Sequence, residues 1–347
     1  MLPADLVSLL ATKHVTCTEA EARRVLGHVI SEGRDDLRGM KKPVRAVVRD
    51  AIDAMTTRTR IEIIERVKDD EDGFEKLLLR SGDGALHEAV KIPLQKAGRF
   101  TVCLSSQVGC AMGCTFCATG RLGLTRNLSA AEIVGAFIAV RDTLAPGERI
   151  SGAVFMGQGE PLANYDEVIQ AARVLSDPCG GRVEAKAISI STVGLVPMIK
   201  RYTEEGHKFR LIVSLHSAMI EKRRSLLPVA GAFALKDVAE AIRAHQRSID
   251  DRVTIAWCVM SGVNTGADEV EALRTLLEGV PIRVNLIDVN DARPDGFTRA
   301  PPAELARFLD ELQVLGQPVV RRYSGGKNRH AACGMLAAVH KGLDSAT

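Results

Sequence analysis

Residues 101–120 read TVCLSSQVGCAMGCTFCATG, in which a run of strand-forming residues leads directly into three closely spaced cysteines. Cys110, Cys114 and Cys117 form a C-x3-C-x2-C array, so their thiolates can converge on one metal centre. Structural zinc normally takes four protein ligands, and no second C-x2-C pair or histidine lies nearby to complete such a set. Three thiolates on a cubane iron–sulfur cluster leave one iron open for a cofactor. The array therefore predicts an iron–sulfur cluster with an open iron, and zinc or a chance grouping is the alternative.

Outward from the array, strand-like and helix-like patterns alternate along the chain. Ser129 and Glu132 form an S-x-x-E capping box, which marks one helix start. Strands joined by helical crossovers imply a parallel sheet, hence an α/β barrel or open sheet with ligands at the carboxyl ends of the strands. The predicted strands are 101–104, 152–156, 187–191, 209–215, 253–259, 282–287 and 318–322, and the predicted helices are 130–143, 167–175, 235–246, 268–277 and 304–315.

Composition narrows the class of protein. The chain has 347 residues, of which 46% are hydrophobic and 26% charged, typical of a globular protein. No apolar run approaches the roughly 20 residues of a membrane span. The first residues lack a secretory signal, so we expect a cytoplasmic protein with no membrane partner. Eight cysteines in a reducing compartment indicate metal or redox chemistry rather than a disulfide framework, and Cys17, Cys179 and Cys258 stand alone as packing or surface residues.

The cysteine array, with an aromatic residue before its last cysteine, resembles the radical S-adenosylmethionine (SAM) superfamily. Further phrases narrow the resemblance to the RlmN/Cfr family of RNA adenine-carbon methyltransferases, and they occur in that family's order. They are CLSSQVGCAMGCTFCATG, VFMGQGEPLANYDEV, ISTVGLVPMI, VSLHSAM, VNLIDVN and AACGML. The resemblance implies a [4Fe–4S] cluster and SAM as cofactors, and methylation of an adenine ring carbon, C2 in preference to C8. It also implies large-subunit ribosomal RNA as substrate with transfer RNA as a further one, a flavodoxin or ferredoxin as electron donor, and a monomer.

The resemblance also predicts the architecture, an α/β fold with a partial (β/α)6 radical-SAM barrel. We expect residues 1–60 to form a small helical accessory domain with RNA binding as its candidate role. Residues 61–95 are expected to form a small β linker element, with a hairpin turn at 81–84. Residues 96–347 are expected to form the barrel and a C-terminal loop that carries the methyl group.

Cofactor-binding roles follow from the same resemblance. The array cysteines would hold the cluster, and Phe116 would shield it, with core packing as an equal alternative. Gly159 would let the backbone approach SAM, and Glu160 would accept from its ammonium group. The other implied SAM contacts are Ser191, Ser214, Leu215, His216 and Asn290, with a core histidine as the alternative at His216.

Three residues take catalytic roles from the resemblance. Cys333 matches the cysteine that is methylated and then carries the carbon to the base, and Cys103 matches the partner that forms a transient disulfide with it. Two thiols suit this chemistry because thiol–disulfide exchange needs a thiolate in line with the sulfur it attacks. Glu88 matches the proton acceptor, with a surface glutamate as the alternative.

The chain departs from the family's pattern beside Cys333. Residues 327–330 read KNRH where family members carry acidic residues, and Met335 stands in place of a glutamine. Basic residues that face RNA favour phosphate contacts, and a solvated surface is the alternative. Two other hypotheses follow: a radical SAM methyltransferase with a different RNA target, and a non-catalytic RNA-binding or zinc-structural relative.

Overall fold

A computed structural model describes residues 1–56, 61–291, 293–294, 296–322 and 335–336. The strands are β1 (Glu62–Lys68), β2 (Glu75–Arg80), β3 (Leu86–Pro93), β4 (Arg99–Leu104), β5 (Gln107–Cys110), β6 (Gly123–Asn127), β7 (Arg149–Phe155), β8 (Ile188–Thr192), β9 (Arg210–Ser214), β10 (Val253–Val259), β11 (Ile282–Asp288) and β12 (Val319–Arg322). The α-helices are α1 (Pro3–Ala11), α2 (Glu19–Leu26), α3 (Ala46–Met55), α4 (Ala118–Leu122), α5 (Ala130–Arg141), α6 (Tyr165–Ser176), α7 (Val196–Glu204), α8 (Ile220–Leu226), α9 (Leu235–Ser248), α10 (Ala267–Leu276) and α11 (Pro302–Leu312).

One large sheet organises the molecule, in the order β1-β2-β3-β4-β7-β8-β9-β10-β11-β12. From β4 to β12 each strand runs parallel to its neighbour in this order, with helices in the crossovers. From β1 to β4 the strands run antiparallel, so the small β element extends the barrel sheet. The predicted α/β partial barrel is confirmed, and β12 adds a further parallel strand to its edge.

Central parallel strands such as β7 and β10 form because their sequences are mostly apolar, as expected where both faces of a sheet are covered, whereas the edge strand β12 is partly exposed. Every residue of β10 is buried, and its Trp257 is among the largest fully buried side chains. Each of the seven predicted strand runs falls on one of the parallel strands. The predicted capping box is also present, because the Ser129 N–H donates to Glu132 Oε2 at 2.8 Å and starts α5.

The N-terminal helices share the hydrophobic core of the barrel. Leu6 and Leu10 of α1 and Val48 of α3 belong to the same apolar cluster as the barrel residues. An ion pair between Glu21 and Arg45, 2.8 Å long, joins the start of α2 to the start of α3. Within the described residues, none of the helices has both the length and the apolar character that crossing a bilayer requires.

Candidate active site

A single cavity at the carboxyl ends of the parallel strands collects the predicted cofactor residues. Of the ten residues predicted to hold the cluster or SAM, nine line it: Cys110, Cys114, Cys117, Gly159, Glu160, Ser191, Ser214, His216 and Asn290. The tenth, Leu215, is instead fully buried in the hydrophobic core. The reason is the alternation of side chains along an extended segment, which turns Leu215 away from the cavity-lining residues on either side of it.

The segment from Cys110 to Cys117, here called the cysteine loop, is held by backbone packing on two sides. Gly120 in α4 lies so close that a Cβ there would meet the backbone N and O of Cys114 at 2.9 Å, so only glycine fits. On the other side the Thr115 N–H donates to the Leu226 carbonyl of α8 at 3.0 Å. In the part of the chain that the structure describes, no three His, Cys, Asp or Glu side chains surround a single metal ion.

Two of the array thiols, Cys110 and Cys114, are poorly suited to exist as thiolates on their own. Burial raises the pKa of Cys110 to about 11 and raises the pKa of Cys114 as well, and a charge on Cys117 adds to both shifts. A bound cationic group removes this penalty, because a thiol that coordinates a metal loses its proton outright. Two buried thiols and the half-buried Cys117 thiol, all lining one cavity, therefore fit a group such as an iron–sulfur cluster, whose iron supplies the positive charge.

The loop after β7 presents a fixed and buried carboxylate. Glu160 Oε1 accepts from the Leu162 N–H at 3.0 Å, and Oε2 accepts from the Val193 N–H at 2.9 Å. Burial raises the pKa of Glu160 to about 7, although these hydrogen bonds oppose the shift. Gly159 has φ 97°, and a Cβ there would lie 2.7 Å from Ser106 Oγ, so the turn requires glycine. The carboxylate is thus placed to receive a cation, which would restore its ionised form.

His216 is a neutral, rigidly held side chain of the cavity. Burial, helped by the positive charge of Arg223, lowers the pKa of His216 to about 3. Its Nδ1 accepts from the Cys258 N–H at 2.9 Å, so Nε2 carries the ring proton. Its backbone has φ 62°, an uncommon conformation held by a 2.7 Å hydrogen bond from Asn264 to the His216 carbonyl. The Phe116 ring meets the imidazole edge-on at 4.9 Å.

The remaining predicted SAM contacts lie at neighbouring strand ends. Ser191 Oγ and Ser214 Oγ are 3.1 Å apart and share a hydrogen bond between β8 and β9. Asn290 lies two residues beyond β11, and its Nδ2 donates to the Asp288 carbonyl at 3.0 Å. Together they place hydroxyl and amide groups on the cavity wall, the kind of groups that bind a ribose or an adenine.

Sequence reasoning missed several lining residues. Cys258, interpreted as a packing or surface cysteine, is buried beside Cys114 and also lines the cavity. Its position near the carboxyl end of β10 was the signal that could have identified it. The others missed include Met112, Thr119, Met156, Thr192 and Val193.

Cys103 lies in a separate apolar cluster of buried side chains, the Cys103 cluster. Cys103 in β4 pairs with Val90 of β3 and with Val154 of β7, and all three belong to one buried cluster. Leu336 completes this cluster, and its carbonyl accepts a hydrogen bond from Thr119 Oγ1, a residue of the cavity. The polypeptide at 336 therefore contacts both the Cys103 cluster and the cavity wall.

Glu88 is buried in β3, so the alternative of a surface glutamate is wrong. Its Oε1 lies 3.0 Å from Lys76 Nζ of β2, and its Oε2 accepts from Gln158 Nε2 at 3.4 Å. Gln158 lies two residues before Glu160, which links this carboxylate to the cavity loop. Lys76 was not singled out from the sequence, because its ion pair depends on the register of β2 and β3.

Several predictions fall on positions that the structure does not describe. Cys333 lies outside the described residues, and so do residues 327–330. Met335 and Leu336 are described, and Leu336 is 4% exposed.

Comparison with known proteins gives a consistent result. Residues 104–277 match the model of the family described as "Radical SAM superfamily". A probable RNA methyltransferase of Anaeromyxobacter sp. is 51% identical, covering 92% of this chain and 93% of that protein. A probable dual-specificity RNA methyltransferase RlmN of Moorella thermoacetica is 42% identical, covering 76% of each. A solved radical SAM methyltransferase from Sphaerobacter thermophilus is similar over 98% of both chains, with 34% identity and a TM-score of 0.87.

Proposed function

The chain belongs to the RlmN/Cfr family of radical SAM RNA methyltransferases, and we propose that it methylates an adenine ring carbon in RNA, C2 in preference to C8. Large-subunit ribosomal RNA is the proposed substrate, with transfer RNA as a second one. In this proposal Cys333 carries the carbon, Glu88 accepts the ring proton, and Cys103 releases the product.

The position of Leu336 carries this proposal. Leu336 packs in the Cys103 cluster, and its carbonyl accepts from Thr119 of the cavity. Three residues of chain span at most about 11 Å. The described contacts at 336 therefore support a carrier at Cys333 that works between the cavity and Cys103.

The cavity residues fit the cofactors that this chemistry requires. A [4Fe–4S] cluster on Cys110, Cys114 and Cys117, together with SAM, would supply an electron, a methyl group and a hydrogen-abstracting radical. Glu160 would hold the ammonium group of SAM, because its buried carboxylate is oriented by two backbone N–H donors and lacks a cationic partner among the described residues. Ser191, Ser214, His216 and Asn290 would bind the rest of SAM.

The protein's own residues then handle the carbon and the proton. The Cys333 sulfur holds the carbon as a thioether while the carbon is joined to the adenine ring. Glu88 accepts the proton that leaves the ring carbon, and the unpaired electron left on the ring would pass back to the bound redox group, which restores the aromatic ring. The Cys103 thiolate attacks the Cys333 sulfur, so a sulfur–sulfur bond forms and the sulfur–carbon bond breaks. The released electron pair and a proton complete the methyl group, and a thiol reductant reopens the disulfide for the next turnover.

The proposed partners are an RNA substrate and a one-electron donor of the flavodoxin or ferredoxin class, and the chain is proposed to act as a monomer. The basic residues at 327–330 would favour contacts to RNA phosphates. The accessory role of residues 1–60 in RNA binding remains part of the same proposal.

The test is methylation of defined RNA by the anaerobically reconstituted full-length protein. Large-subunit ribosomal RNA and transfer RNA would each be incubated with SAM and a one-electron reductant, then digested to nucleosides for mass spectrometry. We expect 2-methyladenosine, no product from Cys333→Ala, and full product from the control Cys179→Ala. A product with 8-methyladenosine would correct the ring position. No methylated adenosine from either RNA would overturn the proposal.

A further inference from the structure

Arg223 in α8 is a buried cation without an anionic partner in the described structure. It is 2% exposed, its Nε has no hydrogen-bond partner, and no described carboxylate forms an ion pair with it. Burying a charge costs roughly several kcal/mol of folding free energy unless an opposite charge offsets it. The described residues alone leave this cost uncompensated.

A second buried cation shows the usual solution. Lys91 in β3 is also buried, and its Nζ lies 2.5 Å from Glu75 Oε2. Glu75 also pairs with Arg66 at 2.5 Å, so each of these two cations has a carboxylate partner. The contrast indicates that the anion for Arg223 is a group other than the described side chains that surround it.

Arg223 lies directly behind the cavity wall. One turn further along α8, Leu226 packs against Cys114 and accepts from the Thr115 N–H of the cysteine loop. The guanidinium donates from Nη2 to the Val193 carbonyl at 2.6 Å. Since the Val193 N–H donates to Glu160, Arg223 lies between the cysteine loop and the Glu160 loop.

The positive charge of Arg223 acts on two ionisable groups of the cavity, Cys114 and His216. Burial lowers the pKa of Arg223 to about 10, which leaves it charged at neutral pH, and a Cys114 thiolate opposes that lowering. The same charge contributes to the low pKa of His216. Among the described residues that line the cavity there is no Lys or Arg.

We propose that Arg223 is a positioning residue whose fixed positive charge offsets the negative charge of the cysteine-bound iron–sulfur cluster and raises its reduction potential. This inference rests on the proposed cluster. Three thiolates already make the site anionic, and the electron passed from the one-electron donor to the iron makes it more so. In a site of low dielectric a nearby cation lowers the free-energy cost of that electron.

The test is a potentiometric titration of the cluster, followed by electron paramagnetic resonance, in the reconstituted full-length chain. Arg223→Gln removes the charge, and Arg223→Lys keeps it. Arg224→Gln is the matched control, because the neighbouring Arg224 side chain is 54% exposed. We expect Arg223→Gln to reduce the one-electron equilibrium constant at least about tenfold, equivalent to about 59 mV. Arg223→Lys should recover most of the shift, and Arg224→Gln should leave the potential unchanged.

Iron and sulfide analysis separates the possible failures. Unchanged potential in Arg223→Gln with a full cluster would overturn the role of Arg223 and leave the proposed function intact. A wild-type protein without a cluster would overturn both. Loss of the cluster in Arg223→Gln but not in Arg223→Lys would support charge compensation. Its loss in both variants would assign Arg223 to packing and overturn the inference.

Discussion

The cavity and the Cys103 cluster are neighbours, because Met156 lines the cavity and packs against the cluster, yet their surroundings are opposite. The cavity is lined by strand-end loops that present thiols, hydroxyls and a buried carboxylate. The Cys103 cluster centres on β3, β4 and β7 and consists of apolar side chains such as Val90, Val154 and Leu336. Charged cofactors need oriented polar groups, whereas a neutral thioether and a thiol pack well among apolar groups. In the proposed function, this difference assigns radical formation and carbon transfer to two separate environments.

The largest predicted effect is loss of the cluster, and it tests the cavity side of this comparison. Cys114→Ala removes one of three array thiols, so we expect the reconstituted protein to lose its iron and all methylation. Cys258→Ala is the matched control, because Cys258 packs in the same apolar cluster and lines the same cavity. Iron analysis checks both variants. Full iron content in Cys114→Ala, or an equal loss of iron in Cys258→Ala, would contradict the assignment of the array cysteines as cluster ligands.

The second predicted effect concerns Glu88 as the proposed proton acceptor, and it should leave the cavity intact. Glu88→Gln keeps the shape and the contacts to Lys76 and Gln158 but cannot accept a proton. General bases contribute about 10²- to 10⁴-fold to rate, so methyl transfer should slow by that order while iron content and SAM binding stay normal. Glu62→Gln, on the exposed part of β1, is the control. Single-turnover methylation measures the rate. A wild-type rate in Glu88→Gln would exclude Glu88 as the base.

The third predicted effect is a pH dependence of SAM binding that arises from Glu160 in the cavity. Burial raises the pKa of Glu160 to about 7, so below pH 7 the free protein holds it protonated. Pairing with the SAM ammonium needs the carboxylate, hence SAM affinity should rise from pH 6 to pH 8. Glu160→Gln should weaken SAM binding by about 10- to 100-fold, the value of a hydrogen bond to a charged group, and abolish the pH dependence. Titration calorimetry checks this, with the exposed Glu221→Gln as control. A pH dependence that survives in Glu160→Gln would rule out this pairing.

The sequence predicted the residues that line the cavity better than the residues that pack behind them. The cysteine array identified three cavity residues from their spacing, and the resemblance to the RlmN/Cfr family supplied the other six, because its motifs are contiguous stretches of sequence. The Leu215 side chain does not line the cavity, because alternation along an extended segment turns the middle residue of the Ser-Leu-His phrase inward. Lys76 and Arg223 escaped notice because their roles depend on which strands and loops meet in the fold. A lysine or arginine in the sequence looks the same whether it is buried or solvated.

The most direct test of the two-environment account is the fate of Cys103→Ala during turnover. Without the Cys103 thiol the carbon–sulfur bond to Cys333 cannot be cleaved, so RNA should remain covalently attached to the protein. Denaturing electrophoresis and mass spectrometry of the Cys333 peptide would then reveal a nucleotide adduct, absent from the Cys103→Ala/Cys333→Ala double variant. If Cys103→Ala instead releases methylated RNA over many turnovers and forms no adduct, the assignment of carbon transfer to this cysteine pair is wrong.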